Sequence, residues 1–185
     1  MASQWAEGAL LATPLFFGLA AHGLCIRFRL LRGLARPIDR GAVLNGRRLF
    51  GDNKTWRGVA CVALGTGLGF VLVDPAAVAL PGTQRLLRTA LLGVAVGGAA
   101  MLAELPNSLL KRRLGIAPGA QAAGLRGFAF HVLDQVDVLL GAWLVLGSVV
   151  APTPERLLGS AACVYLGHQL LTRVGHRLGM RASPR

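Results

Sequence analysis

The chain has 185 residues, of which 54% are hydrophobic and 15% are charged, and its mean hydropathy is +0.55. This composition is too apolar for an ordinary soluble domain of this size and predicts a membrane protein. The formal net charge of +12 could suit a nucleic acid ligand. We expect no nucleic-acid partner, however, because the charge is distributed as membrane topology requires.

Five apolar runs approach the roughly 17 to 25 residues that a membrane-spanning helix needs. In chain order they cover residues 9–26, 58–73, 89–105, 127–150 and 157–171. The sequence therefore predicts an all-α, polytopic membrane protein with about five transmembrane helices. We expect one integral-membrane domain over residues 1–185, because no linker or low-complexity tract divides the chain.

Basic residues alternate from one connection to the next. The connection after the first run holds nine of them between residues 27 and 57, and further clusters occupy residues 111–126 and 173–185. The segments 1–8, 74–88 and 151–156 hold three acids and three arginines between them. By the positive-inside rule, the basic loops are cytoplasmic, the N-terminus lies outside and the C-terminus lies in the cytoplasm. This predicts a multi-pass protein of the cell (inner) membrane.

Small residues recur within the apolar runs, including Gly93 and Gly97 as a G-x-x-x-G pair. Such residues let helix backbones pack closely in lipid. The pair predicts either internal packing of the bundle or the interface of a homodimer, and both interpretations stay open at this point.

The first basic connection contains a segment suited to phosphate. Its cationic side chains, a hydroxyl and closely spaced glycines could surround an anion. The spacing is not that of a Walker P-loop. The alternative is a positive-inside anchor between two membrane helices. The residues concerned lie between Asn45 and Gly58 and include Arg47, Arg48, Gly51, Lys54, Thr55, Arg57 and Gly58.

Two acids, Asp134 and Asp137, lie inside the fourth apolar run. An ionised Asp at a helix centre costs about 2.5 to 3.5 kcal/mol on insertion scales, so a functional reason is expected. Their i, i+3 spacing places both carboxylates on one helical face, where a cation would relieve their repulsion. Mg²⁺ suits two carboxylates together with substrate phosphates. The alternative is a structural polar pair near His131.

Glu104 precedes a short segment that combines an acid, a hydroxyl and three cations. If the helix breaks at Pro106, Glu104 can face the two aspartates as a third metal ligand. Asp52 could be a further metal ligand, or it could orient Lys54. The polar residues of the segment are Ser108, Lys111, Arg112 and Arg113, which could meet a polyphosphate or a lipid headgroup, or act as a basic flank of the helix.

Three stretches resemble the CDP-archaeol synthase family, relatives of the CDP-diacylglycerol synthases. They are GDNKTWRG at 51–58, ELPNSLLKRRLGIAPG at 104–119 and LDQVD at 133–137. The family consists of integral-membrane cytidylyltransferases. The resemblance implies a nucleotidyltransferase of phospholipid biosynthesis, which uses CTP and Mg²⁺ to convert a membrane lipid phosphate, archaetidic- or phosphatidic-acid-like, into a CDP-lipid and pyrophosphate.

Carried over position by position, the resemblance implies phosphate contacts at Lys54, Thr55 and Arg57. It also implies a nucleotide or lipid-phosphate site at Ser108, Lys111 and Arg112, and metal ligation by Asp134 and Asp137. We accordingly predict four catalytic residues, namely Lys54, Lys111, Asp134 and Asp137. Glu104 is predicted as a further metal ligand, and Asp52 and Arg113 are predicted to bind substrate.

Two other classes compete with this interpretation. A small transporter or ion-coupled carrier would also use intramembrane acids, and it predicts a polar path across the membrane. A lipid-binding scaffold would dock on anionic headgroups through its arginines. The scaffold interpretation leaves Asp134 and Asp137 unexplained.

Overall fold

The computed structural model describes residues 3–73, 83–120 and 123–177. Within these ranges the chain forms six α-helices, a short 3-10 turn at Arg32–Leu34 and a two-stranded hairpin. The helices are α1 (Gln4–Ala12), α2 (Pro14–Arg27), α3 (Trp56–Val73), α4 (Thr83–Arg113), α5 (Gly124–Leu146) and α6 (Pro154–Arg177), and the strands are β1 (Val43–Leu44) and β2 (Arg47–Arg48).

Four segments of the described chain are long and apolar enough to cross a membrane: Gln4–Arg27, Trp56–Val73, Gln84–Arg113 and Gly124–Leu146. The first joins α1 and α2, because Thr13 keeps helical geometry at the junction before Pro14. Helix α6, which contains the fifth predicted run, is not among these four segments. It has 24 residues, but it also carries His168, Gln169 and Arg173. The prediction of an all-α, multi-pass membrane protein is confirmed.

Helix α3 separates a lipid-facing side from a packed side. Leu64, Leu68 and Leu72, one turn apart, are more than half exposed. Gly65 lies where α3 packs on its neighbour, since an added Cβ there would lie 2.8 Å from the backbone of Gly18 on α2. Leucine towards lipid and small residues towards neighbouring helices is the pattern expected in a bilayer.

The G-x-x-x-G pair of α4 packs inside the bundle. An added Cβ on Gly93 would lie 2.8 Å from the backbone of Gly67, and one on Gly97 would lie 2.7 Å from Thr66 Oγ1. Close internal packing by these glycines is therefore confirmed. A homodimer stays a prediction.

A buried apolar cluster lies between the helices, towards the end of the bundle that carries the N-terminus. All five long helical segments contribute to it, so the bundle has a continuous core there. Its members are Ala12, Leu15, Phe70, Val96, Ala100, Ala142, Trp143, Leu146 and Val164.

Polar contacts tie loops together at the two ends of the bundle. At one end, Arg156 donates to Glu7 at 2.9 Å, which joins the start of α6 to the N-terminal helix. At the other end, Arg113 donates to the carbonyl of Leu44, and Arg47 donates to the carbonyl of Arg113. The two connections rich in arginine therefore share one face, as the charge pattern predicts. The orientation of that face towards the cytoplasm stays a prediction.

Cysteine labelling tests this orientation. In a variant lacking the three native cysteines, Val43→Cys in the hairpin and Ala117→Cys after α4 should resist an impermeant thiol reagent in intact cells. Ala151→Cys on the opposite face should react. These positions are exposed, whereas Gly46 has a φ of +72° that a cysteine would strain. Labelling of Val43→Cys in intact cells would overturn the predicted orientation.

Candidate functional site

A cavity lined by both charged and apolar side chains lies at the hairpin end of the bundle. Its volume is about 350 Å³, and its walls come from α2, α4, α5, α6, the loop before α3 and the segment after α4. Six of the residues predicted from the sequence line it together: Lys54, Glu104, Ser108, Lys111, Arg112 and Asp134. The two cationic segments, far apart in the chain, thus meet at one site.

Helix α4 supplies one wall, because it continues through Pro106 to Arg113. The helix break considered at Pro106 is therefore absent. A proline inside a membrane helix is tolerated where its neighbours satisfy the freed backbone. The uninterrupted helix places Glu104, Ser108 and Lys111 on one face, at spacings of four and seven residues. At 31 residues, or about 46 Å, α4 is longer than a hydrocarbon core of about 30 Å, so its last turns can extend into the headgroup region.

Both lysines of the chain line this cavity, whereas the other 18 basic residues are arginines. Lys111 Nζ lies 2.5 Å from Asp134 Oδ1, which also accepts a 2.8 Å hydrogen bond from Asn107. Lys54 forms an ion pair with Glu104. Each lysine is thus held in the cavity by a carboxylate from a neighbouring helix.

Asp137 lies one helical turn from Asp134. Its Oδ2 atom is buried and has no hydrogen-bond partner among the described residues. A buried carboxylate oxygen without a donor is costly unless a cation or another donor completes it. The donor set of Asp134 and Asp137 therefore suits a divalent cation, and its binding here stays a prediction. Glu104 faces Lys54 instead, and residues 3–73, 83–120 and 123–177 contain no group of three or more His, Cys, Asp or Glu arranged to hold a metal.

Arg112 is the most informative cation of the cavity. It is only 6% exposed, and in the described part of the chain its Nε and Nη1 atoms have no hydrogen-bond partner. A guanidinium is always charged, so burying it without an acceptor carries a large desolvation penalty. These two nitrogens are therefore available to an acceptor such as an anion in the cavity.

Five predicted residues lie outside the cavity lining: Asp137, one helical turn from Asp134, and the four that follow. Arg113 donates from Nη2 to the carbonyl of Arg48 at 3.2 Å and thereby fastens the hairpin to α4. Asp52 is 73% exposed and pairs with Arg48. Thr55 Oγ1 accepts the N–H of Gly58 at 3.2 Å and so caps the first turn of α3. The Nε atom of Arg57 is buried without a partner among the described residues. Their predicted substrate contacts stay predictions.

Sequence reasoning also missed polar residues in and beside the cavity. Asn107, which donates to Asp134, could have been identified, because it is three residues after Glu104 and four before Lys111 on the same helix. Asn53 directly precedes Lys54. His22 on α2 and His168 on α6 also line the cavity, but no local motif or spacing marks either of them.

The fold and cavity define a polytopic α-helical membrane protein with a charged site at one end of its bundle. A family model described as "CarS-like: CDP-archaeol synthase" matches residues 9–184. The chain belongs to the CDP-archaeol synthase family.

Curated relatives support this assignment over most of their length. A CDP-archaeol synthase of Halobacterium salinarum is 35% identical over 83% of this chain and 86% of its own. One of Halorubrum lacusprofundi is 34% identical over 96% of this chain and 98% of its own. A solved structure of an intramembrane enzyme of archaeal membrane lipid biosynthesis has a TM-score of 0.66 and 30% identity, and the match covers 91% of this chain and 94% of that one.

Proposed function

We propose that this protein transfers a cytidylyl group from CTP to a membrane lipid phosphate. The lipid phosphate oxygen attacks the α-phosphorus of CTP, and the bond between the α- and β-phosphates breaks. Pyrophosphate leaves with the electron pair of that bond, and the product is a CDP-lipid. The observation that carries the proposal is the buried Arg112 guanidinium, whose Nε and Nη1 atoms have no partner among the described residues, beside both lysines of the chain.

The location of the cavity suits a reaction between a water-soluble and a membrane-bound substrate. The cavity lies at the C-terminal end of α4, a helix that is longer than the hydrocarbon core is thick. CTP can therefore reach it from water while the lipid tails stay in the bilayer. An archaetidic- or phosphatidic-acid-like lipid is the proposed acceptor, since the curated relatives are named CDP-archaeol synthases.

The cationic residues act by positioning and charge neutralisation. A lipid phosphate is already a nucleophile at neutral pH, so no residue has to deprotonate it. The main requirement is to bring two polyanions together and stabilise the leaving pyrophosphate. An ammonium group has three donors. Lys54 and Lys111 can therefore keep their carboxylate partners and still donate to phosphate oxygens, while Arg112 offers its unused N–H groups.

Asp134 and Asp137 would hold the proposed Mg²⁺, and Asn107 Oδ1, a buried oxygen without a donor among the described residues, lies on the neighbouring helix. When bound, the ion supplies neutralisation of charge on the phosphate oxygens. Glu104 holds Lys54 in this proposal. Its predicted role as a third metal ligand stays a separate prediction, which a double variant can test.

The transporter alternative is separated from this proposal by product analysis. Purified protein is incubated with CTP labelled at the α-phosphate, Mg²⁺ and either ester- or ether-linked lipid phosphate. We expect a labelled CDP-lipid and an equimolar amount of pyrophosphate, and the preferred lipid identifies the acceptor class. A transporter gives no covalent product. Absence of both products, in a preparation shown to be folded, contradicts the proposed function.

A further inference from the structure

Asp39 lies in the connection between α2 and α3, outside the cavity lining, and its carboxylate is completely shielded from solvent. Its Oδ1 atom accepts hydrogen bonds from Arg48 at 2.7 Å and from the N–H of Gly41 at 3.0 Å. Its Oδ2 atom accepts from the N–H groups of Phe50 at 3.0 Å and Gly51 at 3.1 Å. Four donors therefore fix the chain on both sides of the hairpin around one carboxylate.

The same segment fixes the backbone of Lys54. The N–H of Lys54 donates to the carbonyl of Gly51 at 3.2 Å, and its carbonyl accepts the N–H of Ile38 at 2.8 Å. Gly51 is bound by Asp39, and Ile38 directly precedes Asp39. Both polar groups of the Lys54 backbone are thus bonded to residues that Asp39 holds or adjoins.

Gly51 also connects this turn to the wall of the cavity. Its φ of +100° is a conformation that favours glycine, and an added Cβ would lie 2.8 Å from the side chain of Pro118. Pro118 follows α4 and is one residue from Gly119, which lines the cavity. The hydrogen bonds that Asp39 accepts from the Phe50 and Gly51 amides therefore fix the position of the loop before α3, which carries Lys54, against the segment after α4.

Asp39 keeps its negative charge in this environment. Burial would raise the pKa of its carboxyl, but the Arg48 guanidinium and the N–H groups of Phe50, Gly41 and Gly51 outweigh burial and hold that pKa below its usual range. The carboxylate is therefore ionised at neutral pH, and replacing it by an amide removes a charge and an acceptor at once.

We propose that Asp39 is a positioning residue for the transfer reaction, which acts by holding Lys54 at the cavity. The proposal rests on the proposed function. It assigns Asp39 no contact with either substrate, since the carboxylate is shielded and already bonded to four donors.

A double-mutant cycle tests the proposal. Asp39→Asn should lower kcat/KM for CTP by about ten- to a hundredfold, because displacement of a binding group by about 1 Å can cost that much. In a Lys54→Ala background the same change should cost less than about threefold, since the group that Asp39 positions is gone. Losses that multiply independently in the two backgrounds would overturn the proposal. Repeating the cycle with Asp39→Glu, which keeps the charge, covers a failure of the amide variant to fold.

The matched control is Glu7→Gln. It also converts an acid in an ion pair with arginine into an amide, but at the opposite end of the bundle. We expect kcat/KM for CTP to stay within about twofold of wild type. A comparable loss in this control would attribute the effect of Asp39→Asn to general destabilisation and would overturn the proposal.

A readout that needs no catalysis keeps this proposal separate from the proposed function. Lys54→Cys, in a variant without the native cysteines, places a thiol where the lysine side chain is only 17% exposed. Adding Asp39→Asn should speed its alkylation by a soluble reagent several-fold, whereas adding Glu7→Gln should not. Unchanged alkylation would overturn the positioning role even if the wild type makes CDP-lipid. Faster alkylation in a protein without transferase activity would support positioning while contradicting the proposed function.

Discussion

Asp134→Asn and Asp137→Asn should each abolish CDP-lipid formation while the protein still inserts and purifies normally. Each change removes a carboxylate charge from the proposed metal site, and two carboxylates are what Mg²⁺ uses besides phosphate oxygens and water. Activity is measured as labelled CDP-lipid over a range of Mg²⁺ concentrations. The wild type should lose activity in chelator and recover it when Mg²⁺ is restored.

The two variants are expected to differ in one respect. Asp134 also accepts hydrogen bonds from Lys111 and Asn107, so its replacement disturbs the cationic wall of the cavity as well. Asp137 has a buried oxygen without a partner in the described part of the chain, so its replacement chiefly affects the metal. Glu7→Gln, which alters an acid at the other end of the bundle, is the control for handling and folding. Full activity in either aspartate variant would contradict the metal assignment.

The membrane helices were predictable because their signal is local. Each apolar run overlaps a helical segment of the structure, although the fourth run continues four residues past the end of α5 at Leu146. The observed ends differ from the predicted ones by up to eight residues, at Arg113. That difference arises at α4, where Pro106 suggested a break. Within a bilayer the helix continues, since no water is available to take over the hydrogen bonds of an interrupted backbone.

The hairpin between α2 and α3 was missed, although the sequence carries its signal. Asn45 and Gly46 have φ values of 50° and 72°, the left-handed pair that a two-residue hairpin turn requires. The many arginines around this dipeptide favoured an interpretation as an irregular loop. Only two residues on each side pair, too few for any pattern of alternating hydrophobicity.

The members of the site were largely predictable, whereas their pairing was not. Glu104 and Asp134 were identified as acids in or beside apolar runs, where each needs a functional or structural reason. Lys54 and Lys111 were identified as members of two basic segments. Which lysine meets which acid depends on how α4 packs against α5 and the loop before α3. The Lys111–Asp134 pair is separated by 23 positions in the chain and the Lys54–Glu104 pair by 50. No local periodicity encodes contacts over such separations.

Lys54→Ala and Lys111→Ala should each lower kcat/KM by about ten- to a hundredfold, because each removes a charge-assisted contact worth roughly 1.5 to 3 kcal/mol. Arginine should restore activity only in part at either position, since a planar fork replaces a compact ammonium group. The chain uses arginine at its 18 other Lys or Arg positions. Lysine at these two positions therefore indicates that the site needs the shape of an ammonium group there. Full activity of Lys54→Arg and Lys111→Arg would contradict this requirement.

A double variant of Lys54 and its carboxylate partner, Glu104, distinguishes two roles for that carboxylate. In Lys54→Ala the Glu104 carboxylate loses its ion pair and should repel the incoming phosphates. Adding Glu104→Gln should therefore recover part of the lost kcat/KM, since it removes that repulsion. If Glu104 were instead a metal ligand, the double variant would be less active than Lys54→Ala and would need more Mg²⁺. The direction of that change, measured over a Mg²⁺ titration, decides whether Glu104 serves the lysine or the metal.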